Sequence, residues 1–345
     1  MTAPDGSART DGTDRAEHER RERGANRIDP LIDPDTQLCD GVAILDKPAG
    51  WTSHDVVAKS RGLLRNKKIG HSGTLDPDAT GVLVLGVGRV TRLLRFLTAL
   101  PKTYVGEVVL GVETATLDAA GDITATHDMS GVTLADVLVA CADLTGDILQ
   151  IPPMVSAVKV DGKRLHELAR EGKEIEREPR PVTVHRFDVE EVPGDPGVLR
   201  VEVDCSSGTY IRTLAADLGH ALGGGAHLRA LRRTAIGSFA LDEARSLEAI
   251  EVLPAREALR DYPAVVVRGD ILAAVRNGKV LTLDELGVPN AVLPPARSSI
   301  AGPPPGGALL GPWAVLDETG QLLAVYEVHR KASVKPAVVL APAAT

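Results

Sequence analysis

The sequence predicts an α+β fold: a mixed, mainly antiparallel sheet with scattered helices, followed by a small β-rich module. Three observations carry this. Strand patterns recur along the chain, at 41–47, 81–88, 103–113 and 199–205. An Asp-Gly turn within 158–163 signals a hairpin. Helical patterns fall irregularly between the strands, with no internal repeat and no strict strand–helix–strand alternation.

The elements follow in order. Residues 1–37 hold nine acidic side chains and six arginines and almost no large apolar groups, so they read as a disordered tail. The folded body opens at Gly41 with a short buried strand ending at Pro48. Thr52 and Asp55 have capping-box spacing ahead of a helix that carries Val56, Val57, Leu63 and Leu64 on one face. Basic residues Arg61, Arg65, Lys67 and Lys68 follow, then the loop 71–81. The apolar strand 81–88 leads into a helix around Leu93, Leu97 and Leu100, and 103–113 reads as one long strand. Thr133 and Asp136 open a helix with a stripe of Leu134, Val137, Leu138 and Cys141. Leu199, Val201, Val203 and Cys205 alternate with Arg200, Glu202 and Asp204, a half-buried strand. The next helix buries Ile211, Leu214, Ala215 and Leu218. A junction near 250–263 divides a body, 38–255, from a β-rich module, 263–342. That module holds a capped helix at 270–278 and a strand pair, 313–316 with 322–328. Seven prolines and four glycines make 288–312 a flexible insertion.

Composition narrows the function classes. At 345 residues the chain exceeds one comfortable core and fits two domains. No apolar run approaches the roughly 18 residues of a membrane helix, and the polar N-terminus lacks a secretory h-region. Cys39, Cys141 and Cys205 are scattered, with no C-x-x-C spacing, which argues against a disulfide framework and a cysteine zinc site. A reducing cytoplasm is the expected compartment. The net charge of −8 means that any nucleic-acid site must be a local basic patch.

Four constellations carry chemistry. In the loop 71–81, Pro77 fixes its own φ and holds Asp76 out of helical geometry, at the mouth of a buried strand. Asp76 and Thr80 read equally as turn and capping residues. In the run 205–214 a strand ends, Gly208 turns and a helix begins, with Arg212 in its first turn. The helix dipole disfavours a cation there, so a nearby anion or plain solvation must hold it. Lys102-Thr-Tyr104 opens a strand with a ring that is either half-buried packing or a stacking face for a base. Gly223 to Gly225 followed by Arg229, Arg232 and Arg233 could cradle a phosphate backbone, although the Lys-Ser/Thr ending of a P-loop is missing.

Asp46-Lys-Pro-Ala-Gly50, Gly70-His-Ser-Gly-Thr-Leu-Asp-Pro-Asp-Ala-Thr-Gly-Val-Leu83, Lys102-Thr-Tyr104, Gln150-Ile-Pro-Pro-Met-Val-Ser-Ala157 and Gly208-Thr-Tyr-Ile-Arg-Thr-Leu214 occur in this order. Together they resemble the bacterial TruB family, the tRNA pseudouridine-55 synthases, from about residue 41 to 240. The resemblance implies a pseudouridine synthase fold with a C-terminal PUA-like RNA-binding domain. It implies that uridine 55 in the T-loop of tRNA is flipped out, detached from its ribose nitrogen bond, turned, and rejoined through carbon. No metal and no other cofactor is implied. Asp76 matches the nucleophile, Arg212 the cation paired with it, and Tyr104 the ring that stacks on the uracil and helps remove the C5 proton. Arg212 would hold Asp76 ionised by lowering its pKa. On the substrate side, Tyr210 and Leu231 match pocket-lining positions, Asp118 an acid of the network and His71 a histidine near the extruded nucleotide. Lys47 matches a motif lysine grouped with them, a structural role remaining open. The implied partner is the tRNA T-stem-loop, with phosphate contacts from Arg61, Arg65, Lys67, Lys68, Arg229, Arg232 and Arg233. No membrane and no obligate protein partner are expected. Two other readings are a tRNA-folding chaperone with secondary catalysis, and a guide-RNA-dependent synthase subunit, against which the acidic tail argues.

Overall fold

The computed structural model describes residues 40–156, 159–160, 163–164, 175–290, 311–330 and 332–340. The tail 1–37, the Asp161-Gly162 turn and most of the Pro/Gly insertion lie outside the described residues.

The first half of the chain forms β1 (Gly41–Lys47), α1 (Ser53–Leu63), β2 (Ile69–His71), β3 (Thr80–Val87), α2 (Leu94–Ala99), β4 (Lys102–Leu110), β5 (Val112–Thr114), β6 (Ile123–Thr126) and α3 (Leu134–Asp143). Then come β7 (Gly146–Gln150), β8 (Lys159–Val160), β9 (Lys163–Arg164), β10 (Arg180–Glu191), β11 (Val198–Cys205), α4 (Ile211–Ala221), β12 (Ala226–Ile236), β13 (Phe239–Ala240) and β14 (Leu253–Pro254). The C-terminal part adds β15 (Ala264–Val266), α5 (Gly269–Arg276), β16 (Leu281–Thr282), α6 (Leu283–Leu286), β17 (Trp313–Leu316), β18 (Leu322–Arg330) and β19 (Ser333–Val339).

Ten of these strands make one mixed sheet in the order β14-β1-β3-β12-β4-β11-β10-β7, with β13 on β12 and β2 on β3. Among the described residues only β3 and β12 pair as parallel strands within it. Five more make a second sheet, β15-β17-β18-β19-β16. The α+β architecture, mainly antiparallel, with a small second sheet at the C-terminus, is therefore as expected.

Period two explains the burial. In β1 and β3, Val42, Ile44, Val82 and Val84 face one core, while Ala43, Leu45, Leu83 and Leu85 face another under α1. Strands buried on both faces read as continuous apolar runs, as these do. A third core lies beneath α3 and α4 and includes Val201, Val203, Cys205, Leu214 and Leu218. The capping boxes at Thr52/Asp55 and Thr133/Asp136 are both formed.

Four local expectations change. The 103–113 strand breaks at Gly111, whose φ of +81° ends β4 and turns the chain into β5. On α3 the buried stripe is Val137, Ala140 and Cys141, while Leu134 and Leu138 are exposed. Apart from Asp136 and Asp143 that helix is apolar, so its sequence alone offers more than one apolar stripe. Helix α5 starts from Arg268 with no side-chain cap, Asp270 lying inside its first turn. Asp204 is buried, 3% exposed, because Arg186 reaches it at 2.7 Å.

The C-terminal sheet does not have a core wholly to itself. Ala314, Leu322, Val325, Val338 and Leu340 pack with Phe96, Leu97, Leu100 and Tyr262 in the same core as β1 and β3. Three arginines reinforce the contact: Arg89 donates to Leu340 O, Arg92 to Val339 O, and Arg95 pairs with Glu327.

Gly81 permits the central parallel pairing. Its φ is +103°, and a Cβ there would lie 2.1 Å from the carbonyl oxygen of Arg233. Gly81→Ala is expected to part β3 from β12. The φ alone costs about 1–3 kcal/mol, and the backbone clash adds to it. A thermal melt checks this; a wild-type midpoint would contradict it.

Candidate active site

The loop between β2 and β3 is fastened at several points. Ser53 at the start of α1 bonds the backbone of Leu75 twice, accepting from its N–H at 2.9 Å and donating to its carbonyl at 3.2 Å. Lys47 donates to the carbonyls of Pro48, Trp51 and Pro77. Gly50 N–H also reaches Pro77 O, at 3.0 Å. Arg233 holds the carbonyls of Gly73 and Thr74. Asp76 is thus presented on a rigid loop, the arrangement a fixed carboxylate requires.

Arg212, in the first turn of α4, meets that carboxylate. Its Nε lies 3.1 Å from Asp76 Oδ2, and its Nη2 donates to Asp76 Oδ1 at 3.3 Å. Nη1 lies 3.3 Å from Asp118 Oδ2, and the carbonyls of Thr116 and Val155 take the remaining donors. The Arg212 side chain is 6% exposed, Asp118 24% and Asp76 42%. The anion that the helix-end argument demanded is therefore a pair of carboxylates, and plain solvation is excluded.

A cleft of about 270 Å³ opens over Asp76. Tyr104, Leu231, Tyr210, Arg212 and Arg233 line it, with Lys102 and the 206–209 turn at one end. Tyr210 caps α4 and is fixed by Gln150, whose Oε1 accepts from Tyr210 N–H at 3.0 Å. Four sequence-named residues thus line one space with Arg212: Asp76, Tyr104, Tyr210 and Leu231. Asp118 stands behind Arg212 and touches it.

Two others do not line the cleft. Lys47 is completely buried and its ammonium is occupied by three carbonyls, so it holds the loop and not the substrate. Burial, only partly offset by Asp78 and Asp76, brings its pKa down to about 8. His71 lies one residue before the cleft-lining Ser72, its ring edge-on to His54 at 5.3 Å. Burial first, then His54 and Arg233, push it down to about 4, so the ring is neutral at pH 7.

The electrostatics differ from expectation in one respect. Arg212 does lower the Asp76 pKa, but burial outweighs it and Asp118 opposes it, so the net shift is upward. The cleft leaves the side chain partly exposed, yet protein surrounds the carboxylate on its other sides and desolvates it. The Tyr104 hydroxyl is also pushed up, by burial above all. It is neutral at pH 7.

The arginine cluster on β12 divides. Arg229 is exposed but paired with Glu107 at 2.9 Å and Asp195 at 2.6 Å, and Arg232 is paired with Asp46 at 2.7 Å. Arg233 is 1% exposed and faces the cleft, so it is no phosphate clamp. Strand alternation sets Arg233 on the same face as Leu231, but it sets Arg229 there as well, and only the register shift between Leu228 and Ala230 separates the two. Lys102 also lines the cleft. Its Nζ donates to Thr98 O and Leu100 O at the end of α2, and burial, followed by the charge of Arg233, brings it down to about 7.

Comparison with known proteins places this arrangement. Residues 61–211 match the model of the TruB family pseudouridylate synthase N-terminal domain, and residues 212–266 that of the tRNA pseudouridylate synthase B C-terminal domain. The class is thereby defined as a pseudouridylate synthase. The tRNA pseudouridine synthase B of Streptomyces coelicolor is 45% identical over 303 residues, covering 84% of this chain and 94% of its own. That of Streptomyces griseus is 53% identical over 234 residues, covering 65% of this chain and 78% of its own. Among solved structures, a Cbf5–Nop10–Gar1 complex matches with a TM-score of 0.64 at 27% identity over 90% of this chain and 88% of that one. An archaeal box H/ACA Nop10–Cbf5 complex matches at 0.62 and 26%, over 90% and 89%. The chain belongs to the TruB family.

Proposed function

We propose that the protein isomerises uridine 55 in the T-loop of tRNA to pseudouridine. The observation that carries this is the Asp76–Arg212 pair at the wall of a cleft of about 270 Å³, roomy enough for an extruded base, that is also lined by a stacking ring, Tyr104. The family match and the relatives named tRNA pseudouridine synthase B support it.

The target base is stacked within folded RNA and must be flipped out, at a cost of a few kcal/mol. Stacking against Tyr104 returns about 1–3 kcal/mol. Asp76 is the nucleophile. Attack at ribose C1′ and attack at base C6 both start from its ionised form, which Arg212 favours. The N1–C1′ bond breaks, a C5–C1′ bond replaces it, C5 gives up its proton to solvent and the freed N1 takes one up, so the product is an isomer of the substrate. No water is added, so one carboxylate suffices where a glycosidase needs two. Tyr210 and Leu231 close round the base, and Asp118 steadies Arg212.

Affinity for the T-stem-loop comes from exposed Arg61, Arg65, Lys67 and Lys68 at the end of α1, with the second, PUA-like sheet, β15 to β19, as a further RNA surface. Binding should therefore weaken with salt. The protein acts in the cytoplasm without an obligate protein partner. No helix among the described residues is long and apolar enough to cross a membrane. Its relatives of 45–53% identity favour a stand-alone enzyme over a guide-RNA-dependent subunit.

The test is incubation of the purified chain with an unmodified tRNA transcript and with the bare T-stem-loop, followed by pseudouridine mapping. Product at position 55 in both is expected. Product elsewhere, or none, overturns the reading.

A further inference from the structure

Strand β7 buries the wrong residue for packing. Its outward Leu149 is 69% exposed, while the polar Gln150, on the inward face with Ile148, is 1% exposed. A buried amide is costly unless both of its ends are bonded, and an apolar side chain there would carry no such cost. A strand that hides its glutamine and shows its leucine is built for something other than packing. Both ends of Gln150 are spent on one residue, distant in sequence. Its Oε1 accepts from Tyr210 N–H at 3.0 Å, and its Nε2 donates to Tyr210 O at 3.4 Å.

Helix α4 supplies the reason. Tyr210 stands at its N-cap, gives it no side-chain cap bond, and lines the cleft. In a capping box the residue three further on reaches back to the N-cap N–H. Here that residue is Thr213, whose hydroxyl turns instead to Ile151 O at 3.4 Å. Gln150 provides the missing acceptor from another strand. A little further along the same segment, Val155 O takes Arg212 Nη2 at 2.8 Å. Residues 150–155 therefore strap down Tyr210, Arg212 and Thr213, the start of the helix that meets Asp76.

We propose that Gln150 is a positioning residue, a helix cap imported from β7 that sets where α4 begins, and with it Tyr210 in the cleft wall and the Arg212 guanidinium against Asp76. Gln150 does not line the cleft and touches no reacting atom. The inference rests on the cleft being the pseudouridine-forming site.

The test uses the full chain and an unmodified tRNA transcript, with single-turnover rate and tRNA Kd measured together. Gln150→Met keeps a flexible side chain of similar size and removes both bonds. A reacting group displaced by an ångström loses about 10²-fold in rate, and that is the expected fall, with Kd unchanged. As Arg212 moves off Asp76, the acid limb of the rate should also shift to higher pH. Gln150→Glu restores an acceptor for the Tyr210 N–H, at a helix end that favours an anion, and should recover most of the rate. A purely structural role would instead lower the melting midpoint, leave the acid limb in place and gain nothing from the glutamate. That result, or a wild-type rate for Gln150→Met, overturns the proposal. Should Gln150→Met fail to fold, Gln150→Asn decides, because its amide is one methylene too short to reach Tyr210: a wild-type rate refutes the cap, and a slowed rate with intact Kd supports it. Hydrogen exchange over residues 208–214 separates this inference from the functional reading. The Tyr210 amide should be protected in the wild type and lose that protection in the variant, even in a chain that makes no pseudouridine. An unprotected wild-type amide refutes the cap, whereas an inactive wild-type chain refutes the functional reading.

Discussion

Asp76→Asn is expected to abolish pseudouridine formation while leaving tRNA binding and the fold intact. Loss of a nucleophile lowers turnover on the order of 10⁴-fold or more. The side chain contributes to binding only through a cleft that Tyr104, Tyr210 and Leu231 also form. Stability should move the other way. Burial raises the Asp76 pKa, so the folded state holds a proton more tightly than the unfolded chain. At neutral pH the ionised carboxylate then destabilises the fold, and that penalty fades as pH falls through the folded-state pKa. The asparagine variant should melt at or above the wild-type temperature at pH 7, with the advantage lost in acid. Arg212 is not orphaned by the change, since Asp118, Thr116 O and Val155 O still hold it. A variant that melts well below wild type, or that still converts uridine at the normal rate, would contradict this.

Arg212→Met should do harm of both kinds. It leaves Asp76 and Asp118 facing each other without the cation that joins them. Breaking a fully buried ion pair costs about 3–5 kcal/mol. These carboxylates are partly exposed, so about 1–3 kcal/mol is the expectation here once solvent screening is allowed for. Asp76 also loses the main influence that opposes its desolvation, and its pKa climbs further. Less of it is ionised at neutral pH, and what remains is no longer oriented. Thermal unfolding and single-turnover rates read the two effects separately. Wild-type values for both would remove Arg212 from the account.

The backbone was largely legible because its signals were local. Capping boxes at Thr52 and Thr133, alternation at 199–205 and the apolar runs of β1 and β3 each determine an element without help from distant residues. The failures came where several apolar faces competed, as on α3, or where one glycine, Gly111, broke a strand-like run. The pairing of Asp76 with Arg212 had a local trace too: a cation at the wrong end of a helix dipole. Arg233 had none strong enough. Its neighbours Arg229 and Arg232 made the run look like a basic patch, and only the sheet register turns one of the three inward and leaves the others to Glu107, Asp195 and Asp46. Net pKa direction was equally hidden, because sequence names the charged partner but not how much water the fold removes.

The most direct measurement is the pH dependence of single-turnover pseudouridine formation on the T-stem-loop, for the wild type beside Arg212→Met. With ionised Asp76 as nucleophile and Arg212 opposing its desolvation, the wild-type rate should fall in acid, with its midpoint above the ordinary carboxylate value of 3.8. In the variant that midpoint should move to higher pH. Superimposable acid limbs, or a wild-type rate that holds steady through and below that value, would contradict the account.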